Sequence, residues 1–183
     1  MTYNNEWVIN LFDQNKLLTF LFFWGHQPRK DNTIGKSCLS QWFVSPFNFE
    51  GILYPTAEHW MMAQKAKLFR DDEIFKQIIE TNSPRKVKAL GRKVQHFEPK
   101  IWQEKSLKIV TEGNYLKFSQ NKALKEFLLS TDNQILVEAS PNDNIWGIGL
   151  NEETKNVKNP HTWRGTNKLG YALMVVRDKL RRE

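Results

Sequence analysis

The sequence predicts a predominantly helical α+β domain with a few short strands, and three observations carry that expectation. First, "YPTAEHWMMAQKAKLF" (54–69) has few breakers and little polar circumference, the pattern of a helix in the middle of a domain. Second, further helix signals follow one another between Asp71 and Leu129 and again from Asn167. Third, the strand-like stretches are short and scattered, with no alternation of strand and helix that would announce a βαβ series.

In chain order, "LLTFLFFW" (17–24) reads as a buried strand, too short for a membrane span. A polar loop, "QPRKDNTIGKS" (27–37), follows it. Residues 38–55 read as short extended pieces, with a hairpin-like turn at Glu50-Gly51 and a strand at Ile52–Tyr54. Thr56 is placed to cap the helix that begins beyond it. Asp71–Glu80 carries Ile74, Phe75, Ile78 and Ile79 at helical spacing. Ser83-Pro84 is a cap followed by a first-turn proline, and that helix should end near Gly91. Pro99 opens a longer helix in which Trp102, Ile109 and Leu116 fall on one stripe. Lys122–Leu129 is another short helix, "QILVEA" (134–139) a strand, and "SPNDNIWGIG" (140–149) a turn-rich segment. "NEETKNVKNP" (151–160) reads as a flexible polar loop. The last helix starts near Asn167, with Leu169, Leu173, Val176 and Leu180 as its core stripe and Lys and Arg on much of the rest.

A chain of 183 residues is expected to form one domain over 1–183, large enough to bury a core without disulfides or metal. An aromatic content of 13% argues against disorder. No run is long and apolar enough to span a bilayer, and the N-terminus lacks the order of a signal peptide. The lone cysteine, Cys38, excludes an internal disulfide framework and fits a reducing compartment, so the cytoplasm is the expected location. A net charge of +7 suits an anionic partner, a phosphorylated metabolite or nucleic acid, although "SPRKVKALGRK" and "RDKLRRE" read equally as solvated surface.

On the helix that follows Thr56, Glu58, Met62 and Lys65 share one face, with Glu58 and Lys65 about 10 Å apart along the axis. That spacing suits two groups facing one ligand across an apolar Met62. The alternative is helix electrostatics, with Glu58 favoured near the N-terminal dipole and Lys65 extending out of a buried surface. His59 and Gln64 read as hydrogen-bonded core residues. "NDNIWGIG" brings together Asp143, Trp146 and Gly147, either a ligand loop or a structural turn around a buried Trp. "FFWGH" offers Trp24, Gly25 and His26 in the same manner, or simply a strand end. Arg92, after Gly91, is either a phosphate clamp or a surface residue. No zinc spacing, H-E-x-x-H, G-x-S-x-G, G-x-G-x-x-G or P-loop occurs, so neither metal nor cofactor is expected. These residues suit cleavage or recognition of a nucleotide-like ligand.

The motifs resemble the YbiA/NADAR family, in family order and over roughly Phe20 to Leu180. They are "FFWGH", "CLSQWFVSPF", "YPTAEHWMMAQKA", "ALGRKV", Trp102, "KF" at 117–118, "LVEASPNDNIWGIG" and "GTNKLGYALMVVRDKL". The loops 27–37 and 151–163 look longer than in compact members. The resemblance implies a YbiA-like fold and an N-glycosidase that needs no cofactor. It leaves two substrate types open: a phosphoribosylamino-pyrimidine of riboflavin synthesis, or a guanine base carrying ADP-ribose, free or in nucleic acid. A catalytically silent ADP-ribose or nucleotide-binding module is the third possibility.

Carried onto this sequence, the resemblance makes Glu58 the general acid/base and Asp143 the residue that orients the ribose or supports developing charge. Lys65 either attacks the sugar carbon to form a Schiff base or binds phosphate as a cation. Trp24, Trp42, Trp102 and Trp146 either stack on the base or pack the core. Arg92 and Lys93 are phosphate contacts. Asn167 either lies at an anion site on the last helix or caps it.

Overall fold

A computed structural model describes residues 3–183. Seven α-helices and four short strands run in the order α1 (Asn5–Asp13), β1 (Phe20–Phe23), β2 (Phe47–Phe49), β3 (Ile52–Tyr54), α2 (Ala57–Leu68), α3 (Asp72–Glu80), α4 (Pro84–Gly91), α5 (Pro99–Gln120), α6 (Lys122–Ser130), β4 (Ile135–Glu138) and α7 (Lys168–Leu180) among those residues. The fold is therefore α+β and predominantly helical, as the sequence predicts. Among the described residues, no helix is long and apolar enough to cross a membrane. The chain divides into two compact units, one made of the residues up to Ser40 with Ala123–Glu183, the other of Gln41–Lys122.

The first unit is built on a parallel pair, β1 with β4, in the register Phe20 to Ile135 through Phe23 to Glu138. Helix α7 packs on β4, and Gly170 makes the approach close: a Cβ there would overlap the Leu136 carbonyl oxygen. The leucine stripe of α7 is buried as expected, but so are Tyr171, Met174 and Arg177, so the helix is enclosed on more than one side. Arg177 donates from Nη1 to Thr131 Oγ1 (2.9 Å) and to the Gln134 carbonyl (2.8 Å), tying α7 to the turn before β4. Helix α1 has no counterpart in the sequence reading. Asn4 Oδ1 caps it by accepting from Trp7 N (2.7 Å), and the Tyr171 hydroxyl donates to Asn5 Oδ1 (2.9 Å).

Three expectations in this unit need correction. The stretch 17–24 is not a buried strand, because only Phe23 is buried and Leu17 is 96% exposed. Cys38 and Leu39 are buried in a 3-10 turn, Lys36–Leu39, rather than in an extended piece. The polar segment 151–160 is a run of hydrogen-bonded turns, including Thr154 N to Asn151 O (3.1 Å) and Asn159 N to Asn156 O (2.8 Å), with Val157 buried beneath them.

The second unit is organised around α2, which packs against α3, α4 and α5. Neighbours on three sides explain why its apolar residues encircle it. Thr56 caps it through His59 N, as expected. The β2–β3 hairpin turns at Glu50 (φ 52°) and Gly51 (φ 77°), the two positive φ values of a type I′ turn. Trp60, from α2, is buried between Phe49 and Tyr54 (ring centroids 5.1 Å from each) and donates from Nε1 to the Ile109 carbonyl (2.9 Å). Gly113 of α5 lies directly against that indole.

Asp71 caps α3 through Ile74 N (3.1 Å), and its other oxygen accepts from Gln95 N (2.8 Å), which fixes the segment after α4. Ser83 and Pro84 start α4, which ends at Gly91 as the sequence predicts. In α5 the expected stripe of Trp102, Ile109 and Leu116 is only half-buried. The buried seam runs instead through Ser106, Val110, Gly113 and Lys117, with Gly113 lying against Trp60 of α2.

Candidate active site

Lys65 projects from α2 into a box made by the end of α4 and the start of α5. Its Nζ donates to the Gly91 carbonyl (2.7 Å), lies 4.0 Å from the centre of the Phe97 ring and 5.6 Å from that of Trp102. The residue is 9% exposed, and burial lowers its pKa from the ordinary lysine value. The carbonyl and the two aromatic faces favour the ammonium form, whereas burial favours the neutral amine. Met62 closes the box on the α4 side, where Gly91 has no space for a side chain: a Cβ there would overlap the Met62 sulfur.

Glu58 lies two turns before Lys65, in the first turn of α2, and is 5% exposed. Its backbone N–H donates to the Gln41 carbonyl (2.9 Å), so the segment carrying Trp42 is anchored to the same turn. The positive end of the helix dipole favours its charged carboxylate. The order Glu58, Met62, Lys65 read from periodicity is thus an order of buried groups along one helix.

His59 does not belong to this set. It is fully buried, with Nε2 2.8 Å from the Thr81 carbonyl and Nδ1 2.8 Å from the Thr56 hydroxyl. A carbonyl only accepts, so Nε2 carries the proton and Nδ1 accepts from Thr56. Burial holds the His59 pKa below the ordinary value, in keeping with a neutral structural imidazole. Gln64 is a core residue as expected: its buried side chain interacts with the buried Tyr54 hydroxyl and lowers the Tyr54 pKa against the rise that burial causes.

Trp102 joins Lys65, and Trp42 is half-buried with Lys88 Nζ 5.8 Å from its ring centre. Arg92 and Lys93 are exposed just past α4, where they are open to an anion. Phe97 and the Gly91 carbonyl, the nearest neighbours of Lys65, escaped the sequence reading. Phe97 sits in the irregular stretch "QHFEPK", where no periodicity marks it, and a backbone carbonyl leaves no residue-type signal.

The remaining candidates lie in the first unit. Asp143 Oδ1 accepts from Ile145 N (2.9 Å) and Trp146 N (2.7 Å), so this carboxylate oxygen shapes the loop. Gly147 is buried where a Cβ would stand 2.8 Å from the Glu138 carbonyl oxygen, and Trp146 is half-buried beside it. Trp24 is 57% exposed just after β1 and is therefore not a core ring; Gly25 follows with φ 81°. His26 Nε2 is 3.2 Å from Gln27 Nε2.

Asn167 occupies the position before α7, and its side chain makes no cap hydrogen bond there. Its Oδ1 accepts from Glu138 N (3.0 Å) and its Nδ2 donates to the Leu136 carbonyl (2.9 Å), so the amide completes the hydrogen bonding of β4. The N–H groups of Asn167, Lys168 and Leu169 are taken by the carbonyls of Gly147, Ile145 and Trp146.

Comparison with known proteins follows this geometry. The family model described as the NADAR domain matches residues 22–181. An N-glycosidase of Acanthamoeba polyphaga mimivirus is 45% identical over 167 residues, covering 87% of this chain and 95% of that protein. The N-glycosidase YbiA of Escherichia coli (strain K12) is 31% identical over 135 residues, covering 74% of this chain and 76% of that one. The NMR structure of the E. coli protein YbiA superposes with a TM-score of 0.72 at 27% identity, covering 90% of this chain and 86% of the other.

Proposed function

The chain belongs to the NADAR domain family, and on that premise we propose that it hydrolyses the ribosyl C1–N bond of a phosphorylated ribosylamine-type substrate, of the phosphoribosylamino-pyrimidine kind. It is an enzyme acting on N-glycosyl bonds, as the names of several relatives support. The observation that carries the finer reading is Lys65: a buried lysine with a lowered pKa, boxed by Phe97, Trp102 and a carbonyl, two helical turns from a buried glutamate.

A ribosylamine opens to an imine when the nitrogen lone pair moves onto C1 and the ring oxygen takes a proton. The neutral Lys65 amine then adds to C1. The Glu58 carboxylate takes the proton that the added lysine nitrogen sheds and passes it to the departing nitrogen, the base leaves as a free amine, and the sugar remains on Lys65 as an imine. Water adds to C1, and collapse releases the sugar and restores the lysine. The rival role, in which a charged Lys65 holds phosphate or ribose, forms no bond to the protein.

Borohydride reduction during turnover separates the two roles. Purified protein is offered a phosphoribosylamino-pyrimidine and, in parallel, an ADP-ribosylated guanosine, with base release followed by chromatography. A reduced sugar adduct on Lys65, located by mass spectrometry, is the expected result. Turnover without an adduct overturns the covalent step, and release of neither base leaves a nucleotide-binding module.

A further inference from the structure

Three walls of the Lys65 box belong to helices: Met62 of α2, the Gly91 carbonyl at the end of α4 and Trp102 near the start of α5. The fourth, Phe97, stands on the irregular connection 92–98, yet it is the nearer of the two aromatic faces, 4.0 Å from Nζ at the ring centre. Two contacts fix that connection. Phe97 packs edge-on against Phe69 (ring centroids 5.3 Å), and Asp71 Oδ2 accepts from Gln95 N (2.8 Å) while Oδ1 caps α3. Between the Gln95 anchor and the ring, His96 has φ 52°, a left-handed bend uncommon for a residue with a side chain. Phe97 is 39% exposed and Lys65 only 9%, so the ring has solvent behind it and the lysine in front. Burial, not a charged neighbour, lowers the Lys65 pKa, so the groups that cover the amine decide how much of it is neutral.

We propose that Phe97 is a positioning residue for Lys65, a cover that shields the amine from water and is held over it by Asp71 through Gln95. Its effect on turnover rests on the reading of Lys65 as the nucleophile; the cover itself does not. The amine adds to the sugar C1 through its lone pair, and a hydrated ammonium has none to give. Phe97 acts on that lone pair in two opposed ways. Its face attracts the ammonium, whereas its bulk excludes the water that would stabilise the charge. Exclusion prevails, because with the ring in place the lysine pKa lies below its ordinary value. A ring that stacked on the departing base instead would act on binding, through KM.

The test uses the full chain with one of three changes. Phe97→Leu keeps an apolar cover without a ring, and Phe97→Ala removes the cover. Asp71→Asn still caps α3 but faces the Gln95 N–H with an amide donor. Acetylation of Lys65 by acetic anhydride at about pH 10, located by mass spectrometry, reads the cover without turnover. Phe97→Ala and Asp71→Asn should speed it about tenfold, as expected when no local opening precedes reaction, and Phe97→Leu should speed it far less. In base release, Phe97→Ala should lower kcat about tenfold, the neutral amine that one pKa unit represents, with KM little changed and most of the loss restored by Phe97→Leu. If Phe97→Ala misfolds, Asp71→Asn, which retains the ring, carries the same comparison. Unchanged acetylation with Phe97→Ala overturns the proposal, as does a raised KM that Phe97→Tyr restores and Phe97→Leu does not, the mark of a stacking residue. Faster acetylation with Phe97→Ala but not with Asp71→Asn overturns the part given to Asp71. Acetylation that responds as expected while turnover leaves no borohydride adduct refutes the nucleophile reading and supports the cover.

Discussion

Replacing Gly113 by Ala sets two effects of opposite sign against each other. In an exposed helix this change gains about 1 kcal/mol from propensity. In α5 the new methyl would overlap Cδ1 of Trp60 and stand 2.8 Å from its Cγ and Nε1. The indole has no retreat: it is 2% exposed, flanked by Phe49 and Tyr54, and held by the Ile109 carbonyl. Overpacking a core costs about 1–3 kcal/mol, and loss of the indole hydrogen bond adds about 1 kcal/mol. The sum favours destabilisation by about 1–3 kcal/mol. For a chain of this size that lowers the thermal midpoint by roughly 3–10 °C. Urea unfolding should show a lower midpoint with the same slope. Because Trp60 sits on α2 between Glu58 and Lys65 in sequence, base release should fall as well. A variant as stable as the original, or more so, would refute the reasoning and show that α2 and α5 are not in contact at this point.

Other perturbations probe the remaining interactions. Asn167→Ala strips partners from Glu138 N–H and the Leu136 carbonyl and replaces asparagine, which tolerates the left-handed φ of 49°, by a residue that does not, so urea unfolding should report a loss of about 2–4 kcal/mol; a loss below about 0.5 kcal/mol would remove its structural role. His59 has a folded pKa below its unfolded value near 6.5, so the unfolded chain binds the proton first and stability contributed by the neutral ring is lost as pH falls below about 6.5. The midpoint difference between the original and His59→Gln should therefore narrow from pH 8 to pH 5, and a constant difference would contradict the assignment. Glu58→Gln should slow base release by about 10²–10⁴-fold if it supplies the proton, with the folded state retained by circular dichroism. Lys65→Arg keeps a cation but cannot supply an amine nucleophile; base release at a rate within about threefold of the original would leave Lys65 a binding group.

The elements that announce themselves locally were legible in the sequence. Thr56, Ser83-Pro84 and Glu50-Gly51 each carry a cap or turn signal, and the structure places a helix start or hairpin at each. Helix α1 was not legible, because its ties come from the far end of the chain: Asp13 to His161, Asn5 to Tyr171 and, just before the helix, Tyr3 to Asp178. The seam of α5 was misread because Ser106 and Gly113 are buried by being small, and size complementarity to Trp60 leaves no hydrophobic pattern. Within the candidate site, helical periodicity identified the shared face of Glu58, Met62 and Lys65, whereas Phe97 joined it through a non-periodic turn. Asn167 stands at the start of the last helix, as the sequence reads, but its amide bonds the β4 backbone and makes no cap hydrogen bond.

The parallel pairing of β1 with β4 has a consequence for the order in which the chain becomes ordered. Residues 24–134 separate the two strands, so β1 leaves the ribosome long before its partner exists and waits roughly 6–20 s at ordinary elongation rates. The inserted segment carries its own clasp: Asn48 and Gln120 exchange two 2.8 Å hydrogen bonds, and Asn121 donates to the Pro46 carbonyl (3.1 Å). Once that clasp closes, the long excursion shrinks to an effective tether of about 40 residues, which removes roughly 1 kcal/mol of closure entropy from the search for β4. The insertion thus acts as a splint: weakening it at Gln120 should slow the docking of β4 and α7 onto β1 even though none of those elements is altered.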